Sequence, residues 1–126
     1  MKEGKLLHKI IFYRDKNGNE PVFDYMQSLK ENGSKNSRIN LNKIQDYIQA
    51  LSVYGTQLPE NYVKHLDGEI WELRPIRNRI LFAGVVGGKY VLLHHFIKKT
   101  QKTPVKEIEQ AKRELEDFIE RSGIDE

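Results

Sequence analysis

The feature that most constrains the fold is a pair of adjacent glycines, Gly87-Gly88, between two stretches rich in β-branched, aliphatic and aromatic residues. The stretches cover residues 78–86 and 89–99, and two glycines in such a setting predict a β-hairpin with a tight turn. A second hairpin is predicted where Asp67-Gly68 interrupts residues 62–74. We therefore expect three or four antiparallel strands in the second half of the chain.

Helical spacing of apolar residues predicts helices on both sides of these strands. The pattern indicates helices over residues 21–33 and 37–55, which form a helical hairpin, and over residues 103–123. Residues 6–13 read as a strand that joins the later ones. The order predicts an α+β fold, in which an antiparallel sheet carries an N-terminal helical hairpin on one face, followed by a C-terminal helix. The 126 residues are expected to form one domain over residues 1–126.

Several classes of site are excluded or disfavoured by composition. The chain has no cysteine, which excludes disulfides and thiolate chemistry. His94 and His95 are adjacent on a predicted strand and point to opposite faces, so they cannot share a metal ion. No glycine-rich phosphate loop, HExxH or GxSxG motif occurs, and we expect no cofactor and no metal. The longest apolar run, residues 91–93, is far too short to span a bilayer, so we expect a cytoplasmic protein.

Charge is unevenly distributed along the chain. The net charge is +3, but residues 64–106 carry nine Lys and Arg against three Asp and Glu, whereas residues 107–126 carry three against eight. A basic block attracts phosphate, so RNA or DNA is the first partner to consider, and a solvated charged surface is the alternative. The candidate RNA-binding residues in this block are Lys64, Arg77, Lys99 and Lys102.

Hairpin register brings several basic residues together. If Gly87-Gly88 forms the loop, Arg79 lies opposite Phe96, with His94 and Lys98 as diagonal neighbours on the same face. A loop with an odd number of residues would reverse one strand. Basic groups this close repel unless an anion lies between them, and phosphate is the natural anion. The opposite face would carry Ile80, Phe82, Leu93, His95 and Lys99. The candidate catalytic residues are Arg74, on the preceding strand, with Arg79, His94 and Lys98.

Three motifs resemble a known family. They are Lys64–Arg74 (KHLDGEIWELR), Asn78–Phe82 (NRILF) and Leu92–Pro104 (LLHHFIKKTQKTP), followed by Ile108 and Ala111. Together they resemble the RelE/ParE toxin superfamily, most closely its HigB-like, phage-related branch. The resemblance covers roughly residues 62–112. The lysine-rich third motif is its most specific part.

The resemblance implies the toxin of a type II toxin–antitoxin pair. RelE-like toxins are endoribonucleases that cut messenger RNA, commonly on the ribosome and without metal, by attack of the ribose 2′-OH on phosphorus. Carried over to this chain, the cationic roles fall to Arg74, Arg79, Lys98 and Lys99, and His94 is a candidate acid or base. The implied partner is a HigA-like helix-turn-helix antitoxin, through which the toxin would reach operator DNA indirectly. A ParE-like inhibitor of DNA gyrase and a non-catalytic RNA-binding module are the alternatives.

Overall fold

The computed structural model describes residues 7–122, so Leu6, in the predicted first strand, and Gly123, the predicted helix stop, lie outside it. Five strands and three α-helices follow the predicted order, with a short 3₁₀ turn after the second helix. The elements are β1 (Lys9–Phe12), α1 (Pro21–Asn32), α2 (Lys35–Tyr54), the 3₁₀ turn (Gly55–Gln57), β2 (Val63–Asp67), β3 (Ile70–Leu73), β4 (Asn78–Val85), β5 (Lys89–Ile97) and α3 (Val105–Ser122).

The five strands form one sheet in the order β1-β5-β4-β3-β2. The four later strands pair with one another in antiparallel fashion, whereas β1 pairs with β5 in parallel. The α+β prediction is confirmed, whereas the prediction of a purely antiparallel sheet is wrong, because the sheet is mixed. A tight turn dictates the direction of the strand that follows it, and β1 is joined to its partner by most of the chain instead.

Two irregularities in the β4–β5 hairpin cancel each other. Val85 pairs with Lys89, so the loop has three residues rather than the predicted two. A β-bulge at Leu93 then shifts the register by one residue, and Arg79 pairs with Phe96 as predicted. In the β2–β3 hairpin Asp67 pairs with Ile70, so the two turn residues are Gly68 and Glu69 rather than the predicted Asp67 and Gly68.

The bulge changes which face some residues occupy. Ile80 and Phe82 share one face as predicted, and that face packs against the helical hairpin. Leu93 instead packs among residues on the α3 side, so its predicted placement with them is wrong. Lys99 also departs from its predicted face and lines the same cleft as Lys98, because β5 ends before both lysines and side chains no longer alternate there.

Helices cover both faces of the sheet and divide its core into two layers. On one face the hairpin of α1 and α2 contributes Ile44 and Leu51 to a buried cluster with strand residues. On the other face Ala111 and Leu115 of α3 pack against Leu81 and its neighbours. None of the helices within residues 7–122 is both long and apolar enough to cross a membrane. The end of the sheet where β5 leads into α3 is left accessible, and the basic residues collect there.

Candidate functional site

A cleft of about 400 Å³ lies where β5 leads through the connecting loop into α3. Arg79 is its buried cation, with 7% of the residue exposed, and Glu107 contributes a carboxylate. The remaining charged lining is entirely basic. Its lysines are Lys98, Lys99, Lys102 and Lys106. Five cations against one carboxylate make this cleft suitable for a polyanion.

The guanidinium of Arg79 is fixed by groups of its own protein. Its Nη1 donates to the carbonyl oxygens of Ile76, at 3.0 Å, and Asn78, at 2.9 Å. Its Nε lies 3.9 Å from a carboxylate oxygen of Glu72. Burial lowers the pKa of Arg79, and the negative charge of Glu72 opposes that shift. The guanidinium is therefore oriented before any ligand arrives, and its Nη2 atom has no protein hydrogen bond among the described residues.

Glu72 is a buried carboxylate shared by two arginines. It accepts a hydrogen bond from Thr103 Oγ1, and its Oε1 also lies 3.4 Å from Arg74 Nε. Arg74 does not line the cleft of Arg79. It lines a neighbouring groove with Lys64, and Lys102 borders both. The two arginines predicted to act together therefore share a counter-ion but lie in separate grooves.

His94 reaches the cleft only through a glutamate. Its Nε2 forms a 2.6 Å hydrogen bond with Glu107 Oε1, and Glu107 lines the cleft. Its Nδ1 lies 4.0 Å from Glu114, whose carboxyl pKa is raised by burial. The predicted picture of a bare histidine among cations is incomplete, because α3 brings two carboxylates to it. The arrangement is a histidine–carboxylate pair at the rim of a basic cleft.

Lys98 and Arg77 brace each other at the edge of the cleft. The Lys98 backbone N donates to the Arg77 carbonyl at 2.7 Å, and Arg77 Nη2 donates to the Lys98 carbonyl at 2.8 Å. The Lys98 ammonium faces Gln101 at 3.3 Å. Arg77 is not part of the cleft lining, so its guanidinium holds the backbone of a lining residue rather than facing the cleft.

Of the eight predicted site residues, the structure brings four into one cleft: Arg79, Lys98, Lys99 and Lys102. Arg74 and Lys64 lie in the adjoining groove, and His94 and Arg77 form hydrogen bonds with residues that line the cleft. Their catalytic and RNA-binding roles stay predictions.

Sequence reasoning missed three residues at the site. Lys106 and Glu107 open α3, immediately after the lysine-rich motif, and the first turn of that helix points toward the cleft. Glu72 carried a readable signal, because it is two residues from buried Ile70 on a strand and therefore shares its face. A lone charge at an inward position predicts a buried partner, which here is arginine.

Behind the cleft, a buried amide joins β4 to the helical hairpin. Asn78 Oδ1 accepts from Tyr25 Oη at 3.0 Å and from His95 Nε2 at 3.2 Å, while its Nδ2 donates to Asn40 Oδ1 at 2.9 Å. The His95 ring stacks on Tyr25 with centroids 3.6 Å apart. Burial, with a smaller contribution from the charge of His94, lowers the pKa of His95 to about 4. His95 is thus a neutral structural group on the face opposite the cleft.

Comparison with known protein families identifies one that covers most of the chain. The family model described as "Phage derived protein Gp49-like (DUF891)" matches residues 24–116, which include most of α1, all of α2, strands β2 to β5 and most of α3. No curated protein matches the chain. Within residues 7–122, no group of three or more His, Asp or Glu side chains is arranged to hold a metal ion.

Proposed function

The chain belongs to the phage-derived Gp49-like family, a RelE/HigB-like toxin type, and from this premise we propose that it is a HigB-like toxin that cuts messenger RNA. Membership in the family indicates a toxin of the toxin–antitoxin kind, and the proposal adds the reaction and the substrate. One observation carries it: a fixed, buried Arg79 in a lysine-lined cleft, with the His94–Glu107 pair at the rim. A phosphate group and a general base are what this arrangement accommodates best.

The proposed reaction is an internal phosphoryl transfer. The ribose 2′ oxygen forms a bond to the adjacent phosphorus while the bond from phosphorus to the 5′ oxygen breaks, leaving a 2′,3′-cyclic phosphate and a free 5′-OH. Arg79 and Lys99 stabilise the charge that develops on the phosphoryl oxygens. Glu107 accepts the 2′ proton, and His94 stabilises it in position through their hydrogen bond. Lys98 donates the proton that the leaving 5′ oxygen requires.

The same proposal assigns the grooves to binding. Lys102 borders both grooves, and Lys64 and Arg74 line the second one, so a single strand can run from one to the other. Arg74 accordingly moves from a catalytic role to holding a neighbouring phosphate. Arg77 braces Lys98 and contributes positive potential.

General acid–base catalysis contributes about 10²–10⁴ in rate, which is modest for a cytoplasmic toxin acting alone. We propose that the ribosome supplies the remaining acceleration by holding the messenger in an orientation that favours attack. The proposed inhibitor is a HigA-like helix-turn-helix antitoxin, through which the toxin associates with operator DNA. The toxin domain is taken to be residues 1–126.

The test is cleavage of messenger RNA by the purified chain with and without ribosomes, in excess EDTA. The expected result is cleavage that leaves 5′-OH ends and continues in the presence of the chelator. The Arg79→Ala variant should lose at least 100-fold in rate, and Arg79→Lys should lose nearly as much because a single ammonium lacks the fork. Arg113→Ala, which removes an exposed arginine of α3, is the matched control.

Circular dichroism should show that the Arg79 variants are folded. RNA binding without cleavage would indicate a non-catalytic RNA-binding module. Blocked DNA supercoiling by gyrase, with intact RNA, would replace the ribonuclease by a ParE-like activity.

A further inference from the structure

The turn between β3 and β4 contains a strained residue. Ile76 has a φ of 60°, and it is the only non-glycine residue with positive φ within residues 7–122. The turn closes with a 2.9 Å hydrogen bond from Asn78 N to Pro75 O, which makes Ile76 its first central residue. Turns with positive φ at that position alone normally have glycine there, because a β-branched side chain crowds the backbone.

The strained turn is built against the candidate cleft. The Ile76 carbonyl accepts from Arg79 Nη1 at 3.0 Å. The next residue, Arg77, is hydrogen-bonded in both directions to the backbone of Lys98. The turn therefore touches two of the cations that line the cleft, while 44% of Ile76 remains exposed.

The backbone arrangement alone gives no reason for isoleucine. Glycine would adopt the same φ without strain and would present the same carbonyl to Arg79. A strained, exposed, apolar side chain beside a charged cleft points instead to a contact made by the side chain itself.

We propose that the Ile76 side chain packs against a nucleobase next to the phosphate held at Arg79. The inference rests on the proposed function and deepens it, because it adds a base contact to a site otherwise made of phosphate-binding cations. A base in single-stranded RNA can be splayed out of its stack, and it then presents a flat apolar face on which an aliphatic side chain can pack with little sequence preference. Ile76 is thus a substrate-positioning residue rather than a catalytic one.

The test combines a protein change with a substrate change. Ile76→Gly removes the side chain and the strain together, so it should unfold at the same or a higher denaturant concentration than the wild type. Its kcat/KM for RNA should nevertheless fall about tenfold, the size of one base contact. Ile76→Val should stay within about twofold. The matched control is Val86→Gly, which removes an exposed β-branched residue from the loop at the other end of β4; its activity should not change.

The substrate arm uses an RNA with an abasic nucleotide placed on either side of the cut phosphate. One of these should slow the wild type about tenfold and should slow Ile76→Gly no further, because the contact is already missing. Full activity of Ile76→Gly, or equal abasic losses in both proteins, would overturn the inference. So would a lower unfolding midpoint for Ile76→Gly, since the turn would then not be strained.

The inference and the proposed function fail separately. If the wild type cuts no RNA, the nuclease proposal falls, and the base contact is then tested by binding of a single-stranded oligonucleotide with 2′-deoxyribose. Weaker binding by Ile76→Gly, with no further loss on the abasic version, would support the contact. Unchanged oligonucleotide binding would overturn the base contact. So would an Ile76→Gly variant that loses affinity for the antitoxin and not for the oligonucleotide.

Discussion

The buried carboxylate of Glu72 offers the sharpest test of how the site is held together. It lies beneath both arginines and accepts a hydrogen bond from Thr103, which precedes α3. The substitution Glu72→Gln keeps the shape of the side chain and removes its charge. Two positive groups then lose their shared counter-ion, and Arg79 is left charged in a site where only 7% of it is exposed.

The two contact distances give the size of the effect. At 3.4 Å and 3.9 Å, unit charges attract by about 4–5 kcal/mol each at an effective dielectric constant near 20. Part of this attraction only offsets the hydration that Glu72 loses on burial, and the Arg74 side chain is 23% exposed, which weakens its share. Leaving one charge of a buried pair without its partner costs about 3–5 kcal/mol. Because the two backbone carbonyls still hold Arg79, we expect Glu72→Gln to lower the free energy of unfolding by about 3 kcal/mol.

The same substitution should act on RNA binding in the opposite direction. Removing a negative charge from beneath the cleft raises its positive potential, so a non-cleavable single-stranded oligonucleotide should bind about two- to threefold more tightly at low salt. Cleavage should still slow, because the guanidinium is less firmly oriented.

Urea unfolding and fluorescence anisotropy measure the two effects. Glu69→Gln, in the exposed β2–β3 turn, is the control and should change neither. A loss of stability below about 1 kcal/mol would mean that Glu72 does not neutralise the arginines, and weaker RNA binding would contradict the electrostatic argument.

Two further predictions concern the scaffold behind the cleft. His95 has a folded-state pKa of about 4, below its unfolded value near 6.5, so the unfolded chain binds more protons between these values. Stability should be unaffected by this group above pH 6.5 and should fall by up to about 3 kcal/mol as the pH drops to 4. Urea unfolding across that range should show that the free energy of unfolding of His95→Gln depends less steeply on pH than that of the wild type. An identical pH dependence in both proteins would refute the assignment. Gly55→Ala should lower the free energy of unfolding by about 2 kcal/mol or more, because Gly55 has a φ of 62° and an added Cβ would lie 2.8 Å from Tyr90 Oη. Thermal unfolding measures this loss. Gly33→Ala is the control for the cost of positive φ alone, because no atom lies within 4 Å of an added Cβ there.

Sequence reasoning succeeded where local chemistry decides the structure. Glycine-containing turns identified both hairpins, and apolar spacing located the first two helices, which end beside Gly33 and Gly55. The pairing of Arg79 with Phe96 was also correct, although for an incomplete reason. The three-residue loop alone would have broken this register, and the bulge at Leu93 restores it. Leucine suits either buried face of the sheet, so the sequence around Leu93 carries no sign of the bulge.

What failed depended on packing between distant segments. The carboxylates around His94 come from α3, and their approach depends on how that helix lies across the sheet. The separation of Arg74 from Arg79 arises because the loop before α3 lies between two grooves and is bonded to Glu72 through Thr103. The direction of β1 was predicted wrongly for the same reason, since no local turn connects it to β5.

The parallel pairing of β1 with β5 also determines when a newly made molecule becomes complete. Lys9 pairs with Lys89, so the first strand has no partner until most of the chain has been synthesised. Closing so long a loop is slow compared with forming the local hairpins β2–β3 and β4–β5, and the helix that supplies Glu107 emerges later still. A nascent chain thus lacks both a finished sheet and a carboxylate at the cleft while it is still being translated.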